Sequence, residues 1–400
     1  MRSFRSTPLV SAGSLLLSAF AHADGPVIDS MDALSFRAPA GKAKVELVDG
    51  RDGKAQRFRF EDGATSVFIL GKNHADAEWD KAAGFSFYVK GDGTQNLGGL
   101  QFIWKEDFGL RYDYAFPIDS TEWRKITVAW RDLIPVRNVA AAKPINPAHG
   151  NPPSKLSAPW FGKWWYWHDY PASFYTIDDI RLESSIPLDS ADYTPAAAPL
   201  ARTLAKLKAG QPVTICTMGD SLTDLRHWAN RTENWPGMLK AKLKEKFGGE
   251  ATMINPAIGG TQLPQGLVLL PRWSAREPDL VTILYGYNDW DAGTRGPDFL
   301  NGMSDAIDRV RRATHGKSEV LVITTCPALG RWETMSEMSE ACRQAAKARH
   351  AGLAETEKKF HAVPEDKRAA LYVNDKTHLA APGHELVATA VLETLEKGGE

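Results

Sequence analysis

Apolar and polar positions alternate along the first part of the chain, and the period changes near residue 200. Between Asp24 and Glu183 the alternation runs through Phe58-Arg59-Phe60, Phe85-Ser86-Phe87-Tyr88-Val89, Arg111-Tyr112-Asp113-Tyr114 and Ile126-Thr127-Val128-Ala129-Trp130. Period two with aromatic and β-branched residues predicts strands, and Asp49-Gly50, Asp52-Gly53, Asp62-Gly63 and Asp92-Gly93 supply turns between them. About eight short strands in succession predict an antiparallel sandwich of jelly-roll type. Pro187, Pro195 and Pro199 then stand among Ser, Ala and Asp, the composition of an exposed linker.

Beyond the linker, apolar runs of strand length alternate with helical stretches. The runs are Val213–Thr217, Ala251–Ile254, Leu280–Tyr285, Val320–Thr325 and Leu371–Val373. Helices are expected at about Trp235–Phe247, Asp298–Ala313, Met335–Phe360 and Pro382–Leu395. This alternation predicts a parallel sheet covered on both faces, an α/β domain.

The extreme N-terminus has a different character. Arg2 and Arg5 precede a short apolar stretch, Leu9 to Ala21, and Ala21-His22-Ala23 has the small-x-small pattern of a signal-peptide cleavage site. The stretch is too short to span a bilayer, and nothing later in the chain approaches that length. The expected plan is a signal peptide at 1–23, a sandwich at 24–183, a linker at 184–199 and an α/β domain at 200–400. Export to the periplasm or the exterior follows from it.

Charge narrows the partners. Lys plus Arg total 48 against 49 Asp plus Glu in 400 residues, a net of −1, which argues against a nucleic-acid binder. Cys216, Cys326 and Cys342 are too few for a disulfide framework and show no zinc-site spacing, so small buried hydrophobes are expected.

The chemistry gathers after the strands, where open parallel sheets bind ligands. Gly219-Asp220-Ser221-Leu222 follows the first run and Asn255 to Gly260 the second. Gly286-Tyr287-Asn288-Asp289 follows the third, and Asp375-Lys376-Thr377-His378 the fifth. A hydroxyl, glycine amides, a carboxamide and an Asp/His pair on one rim are the parts needed for acyl transfer by a serine nucleophile.

These four blocks resemble those of the SGNH or GDSL hydrolases, over about residues 210–397. The resemblance implies a flavodoxin-like three-layer α/β/α fold with Ser221 as nucleophile, His378 as general base and Asp375 as its orienting partner. It also implies an oxyanion hole from the amides of Ser221 and Gly260 and the side chain of Asn288, with no metal or organic cofactor. One departure is Gly259-Gly260, where the family often has Ser-Gly.

Aromatic residues suggest a substrate. Trp160, Trp164, Trp165 and Trp167 crowd one segment of the sandwich half, which is similar to carbohydrate-binding modules of the galactose-binding-like type. Such rings stack on sugars or pack between domains, and Trp164, Trp165 and Trp167 are candidates for the former. His227, Trp228 and Trp290 flank the catalytic blocks and are candidate pocket residues. His384, at the start of the last helix, reads as structural. The favoured reading is an esterase removing short acyl groups, chiefly acetyl, from a carbohydrate. The alternatives are a lipase or thioesterase acting on longer chains, and an inactive glycan-binding protein. Oligomeric state is left open.

Overall fold

The computed structural model describes residues 25–39, 41–62, 64, 67–136, 141–164, 166, 172–333 and 335–399. The expected signal peptide at 1–23 therefore lies outside the described residues. Twelve strands are described in the N-terminal half: β1 (Val27–Asp29), β2 (Phe36–Arg37), β3 (Ala43–Asp49), β4 (Lys54–Phe60), β5 (Val67–Gly71) and β6 (Gly84–Lys90). They continue as β7 (Leu97–Trp104), β8 (Asp107–Pro117), β9 (Arg124–Ala129), β10 (Ile134–Val136), β11 (Trp160–Lys163) and β12 (Ser173–Glu183).

These strands pair antiparallel in two sheets, ordered β3-β4-β12-β6-β9, with β1 on β12, and β10-β8-β7-β11-β5-β2. The inward positions of the period-two pattern supply the core between them. Phe87 of one sheet meets Phe116 and Phe161 of the other at centroid distances of 5.2 and 5.7 Å.

The C-terminal half holds a five-stranded parallel sheet: β13 (Val213–Gly219), β14 (Ala251–Ile254), β15 (Leu280–Leu284), β16 (Glu319–Ile323) and β17 (Gly352–Ala354), in the order β14-β13-β15-β16-β17. Its helices are α1 (Ala201–Lys208), α2 (Trp235–Phe247), α3 (Leu263–Val268), α4 (Tyr287–Asp291), α5 (Gly296–Ala313), α6 (Ser336–Ala348), α7 (Thr356–His361) and α8 (Ala381–Glu396). Both faces are buried, so alternate residues of one strand join different cores. Cys216 and Met218 pack with α3, α5 and α6, while Val213 and Ile215 pack with α1, α2 and α8. This is a three-layer α/β/α arrangement, preceded by an antiparallel β-rich region.

Two expected elements differ. The stretch 335–360, read as one helix, is α6, the short strand β17 and α7. His350 turns the chain with φ +49°, and Leu353 then pairs with Val322 of β16. Leu371–Val373 is not the fifth strand; Tyr372 makes only an isolated bridge to Leu379. Its apolar side chains serve the α8 core instead, since Leu371 and Tyr372 are buried there.

The two halves share a core. Leu97, Ala115, Ile134, Val136, Trp164 and Tyr166 of the sandwich are buried in one cluster with Leu263, Leu267, Phe299 and the parallel sheet. All three cysteines are free and buried. No helix among the described residues is long and apolar enough to cross a membrane.

Candidate active site

The sheet order sets β13 and β15 side by side although β14 comes between them in sequence. The connections leaving these strands therefore diverge to opposite sides, which opens a crevice at their carboxyl ends. Ser221 follows β13 and Asn288 follows β15, so both reach this crevice.

Ser221 lies on a tight turn organised by Asp220. The Leu222 amide donates to Asp220 Oδ1 (3.0 Å), and the Thr223 and Asp224 amides donate to its carbonyl (3.0 and 2.9 Å). Asp220 is 2% exposed, and burial pushes its carboxyl up to about 7. Asn255 secures the turn from below, its Nδ2 donating to Thr217 Oγ1 (2.8 Å) and the Thr223 carbonyl (2.9 Å).

The opposite wall is the loop from Val373 to His378, closed by the Val373 amide donating to the His378 carbonyl (2.9 Å). Asp375 Oδ1 accepts the amides of Thr377 and His378, both at 2.9 Å, and Oδ2 lies 2.6 Å from His378 Nδ1. His378 Nε2 lies 2.9 Å from Ser221 Oγ. Burial opposes ionisation of Asp375, but the amides and imidazole of its own loop outweigh it and hold its pKa below the usual value. An ionised Asp375 accepts a hydrogen bond from Nδ1–H, which leaves Nε2 as the acceptor for the serine hydroxyl.

Hydrogen-bond donors lie on the third side. No acceptor among the described residues takes the amides of Ser221 or Gly260. Asn288 is placed by Gly286, whose φ of +134° and 2.3 Å approach of a notional Cβ to Thr325 Oγ1 suit no other residue. Both hydrogens of its side-chain amide are engaged, with Thr261 O at 3.0 Å and Asp220 Oδ2 at 3.2 Å.

Residues 217–386 match the model of the GDSL-like lipase/acylhydrolase family, a span that contains every block of this site. They form a GDSL-like domain. No curated protein matches the chain. Among solved structures, a lipase/acylhydrolase from Enterococcus faecalis is 21% identical with a TM-score of 0.40, covering 46% of this chain and 96% of its own. Acetylxylan esterase Axe2 from Geobacillus stearothermophilus is 17% identical with a TM-score of 0.37, covering 46% of this chain and 94% of its own.

The aromatic candidates around the GDSL-like domain separate into three groups. His227 and Trp228 stand at the site: their rings lie 4.2 and 5.8 Å from that of His378, and Trp228 is 57% exposed. Trp290 is half-buried against the core, with the guanidinium carbons of Arg331 and Arg295 4.6 and 4.9 Å from its ring centroid. Trp164 is a correction. It is 2% exposed, edge-on to Phe68 and stacked on Tyr166 inside the core shared by the two halves, so it offers no face to a sugar. Trp165 and Trp167 lie outside the described residues.

Sequence reasoning passed over two residues that brace the GDSL-like domain's site. Asn230 is fully buried, and its Nδ2 donates to the carbonyls of Ser221 (2.6 Å) and Asp224 (2.8 Å). Asp224 Oδ2 accepts the amide of Gly259 at 3.0 Å, across 35 residues of chain. Locally both look like ordinary turn residues, and only the tertiary partners mark them out.

Proposed function

We propose that the protein is an exported serine esterase that hydrolyses short acyl esters, chiefly O-acetyl, on a carbohydrate. The observation that carries this reading is the chain Asp375–His378–Ser221, with contacts of 2.6 and 2.9 Å, beside three amide donors. A serine hydroxyl is a weak nucleophile until a base takes its proton, and His378 Nε2 is within reach to do so. Ser221 Oγ attacks the ester carbonyl as its proton passes to Nε2. The same proton then goes to the departing sugar oxygen. Water attacks the resulting acyl-serine by the same exchange, releasing carboxylic acid and restoring Ser221.

Negative charge on the carbonyl oxygen is met by the amides of Ser221 and Gly260 and by Asn288 Nδ2. Asn288 gives up its longer bond, to Asp220, to reach the oxyanion. Asp220 is suited to release it, because a carboxyl raised to about 7 by burial is partly protonated near neutrality and accepts less strongly. Losing one such donor costs on the order of 10²–10³ in turnover.

The carbohydrate part of the reading is supported by the exposed Trp228 ring, a flat apolar platform 5.8 Å from the His378 ring. Export is supported by the charged, apolar and small-x-small pattern of residues 1–23. The test is acetate release from a panel of acetylated polysaccharides, alongside aryl esters of increasing chain length. Release from one or more glycans with a preference for acetyl esters is expected. Preference for long acyl chains with no acetate release would replace it with the lipase reading.

A further inference from the structure

His378 sits on a loop with no helix or strand to fix its ring, and its side chain is 18% exposed. Two hydrogen bonds act in the plane of that ring. One of them is temporary: in the acyl-enzyme, Ser221 Oγ is an ester oxygen with no proton to donate. Something must then hold the imidazole while water takes the serine's place. The His227 ring lies against that of His378, with centroids 4.2 Å apart and planes 24° from parallel.

His227 is itself held firmly. Its amide donates to the Asp224 carbonyl (3.1 Å), its carbonyl accepts the Asn230 amide (3.0 Å), and Nδ1 faces the Ala229 amide (3.4 Å). The same short segment reaches the other parts of the site. Asn230 grips the Ser221 carbonyl, Asp224 the Gly259 amide, and Arg226 Nη2 the Ala257 carbonyl (3.1 Å). Residues 224–230 thus bracket the nucleophile turn, the loop of the second block and the base.

We infer that His227 is a positioning residue, whose ring holds the face of His378 so that Nε2 stays aimed at Ser221 and at the water that follows it. The inference rests on the reading of Ser221 as nucleophile and His378 as base. The glycine at position 259 fits this arrangement. A Cβ there would come 3.4 Å from His227 Cδ2 and 3.5 Å from Ser221 Cβ, in ordinary contact with both, so position 259 lies directly against the stacked ring and the nucleophile turn. Burial, and then the neighbouring His378, lower the pKa of His227, so it stacks as a neutral ring.

Two substitutions separate stacking from local structure. His227→Asn keeps an acceptor for the Ala229 amide, a favoured capping side chain, but removes the ring. His227→Phe keeps a flat ring and removes the acceptor. On an aryl acetate, His227→Asn is expected to lower kcat by about tenfold to a hundredfold, the scale of a misplaced catalytic group, with KM little changed. His227→Phe should recover most of that loss. A kcat for His227→Asn equal to the native value, or Phe no better than Asn, would overturn the inference.

Nitrogen-15 NMR of labelled histidines gives a readout that needs no turnover. With the Nδ1–H tautomer held by Asp375 throughout, His378 should show sharp ring signals in the native protein and in His227→Phe, and exchange-broadened ones in His227→Asn. Equally sharp ring signals in all three would also overturn the inference. Ser221→Ala, assayed alongside, distinguishes the two claims: full activity in that variant defeats the nucleophile assignment and leaves the NMR comparison to decide the stack.

Discussion

His384 lies in the first turn of α8, fully buried, and neither ring nitrogen finds a hydrogen-bond partner among the described residues. Burial, with His378 nearby, lowers its pKa from 6.5 to about 4. The folded state therefore resists a proton that the unfolded chain accepts. Stability carried by this group is present above 6.5 and is lost progressively as pH falls towards 4. The loss is on the order of 3 kcal/mol if the full difference is expressed. Asp220 and Asp289, both raised to about 7 by burial, act in the opposite sense, since their protonation at low pH suits the folded state. Comparing His384→Leu with the native protein isolates the histidine. Its melting temperature should gain on the native value steadily between pH 7 and 4, and a constant difference would contradict this account.

At the scale of elements, what could be read from the sequence followed the range of the forces involved. The span of α2 was legible because its signals are local: Asn234 accepts the Gly237 amide at 2.8 Å, and Pro236 occupies the first turn. The same holds for the blocks around Ser221 and Asp375–His378, each a short turn whose residues bond one another. The fifth strand was misplaced because β17 has only three residues, Gly352–Ala354, and its extended form comes from pairing with β16. Local propensity favours helix there, and the sheet overrides it. The stacking of His227 on His378 and the burial of Trp164 were hidden for the same reason. Each depends on chain segments far apart in sequence. The sequence pattern placed these residues in candidate groups, but only tertiary contact distinguished a ring at the site from a ring in the core.

At the scale of the whole molecule, the sandwich and the GDSL-like domain are joined by more than the linker. Arg309 on α5 is 8% exposed and donates to the carbonyls of Arg131 (2.7 Å) and Asp132 (3.2 Å) in the sandwich half. Asp305, one turn earlier, balances its charge at 2.6 Å. Beside this pair, Ile134 and Val136 of β10 share a core with Leu263 and Leu267 of α3, which follows the Gly259-Gly260 segment directly. The sandwich thus buttresses the helix that follows Gly260, whose amide is proposed to meet the oxyanion. Arg309→Ala leaves two carbonyls without their charged donor and should cost about 2–3 kcal/mol in denaturant unfolding. A loss below about 0.5 kcal/mol, the scale of an ordinary surface substitution, would show the halves to be energetically independent.

The central claim is that Ser221 is a nucleophile activated by His378. Its most direct test is reaction with a serine-directed phosphonate, followed by mass spectrometry of the digested protein. The account predicts one adduct per chain, on Ser221, formed in step with loss of ester hydrolysis and absent from Ser221→Ala. Absence of the adduct from a hydrolytically active enzyme, or an adduct on another residue that accounts for the inhibition, would contradict it.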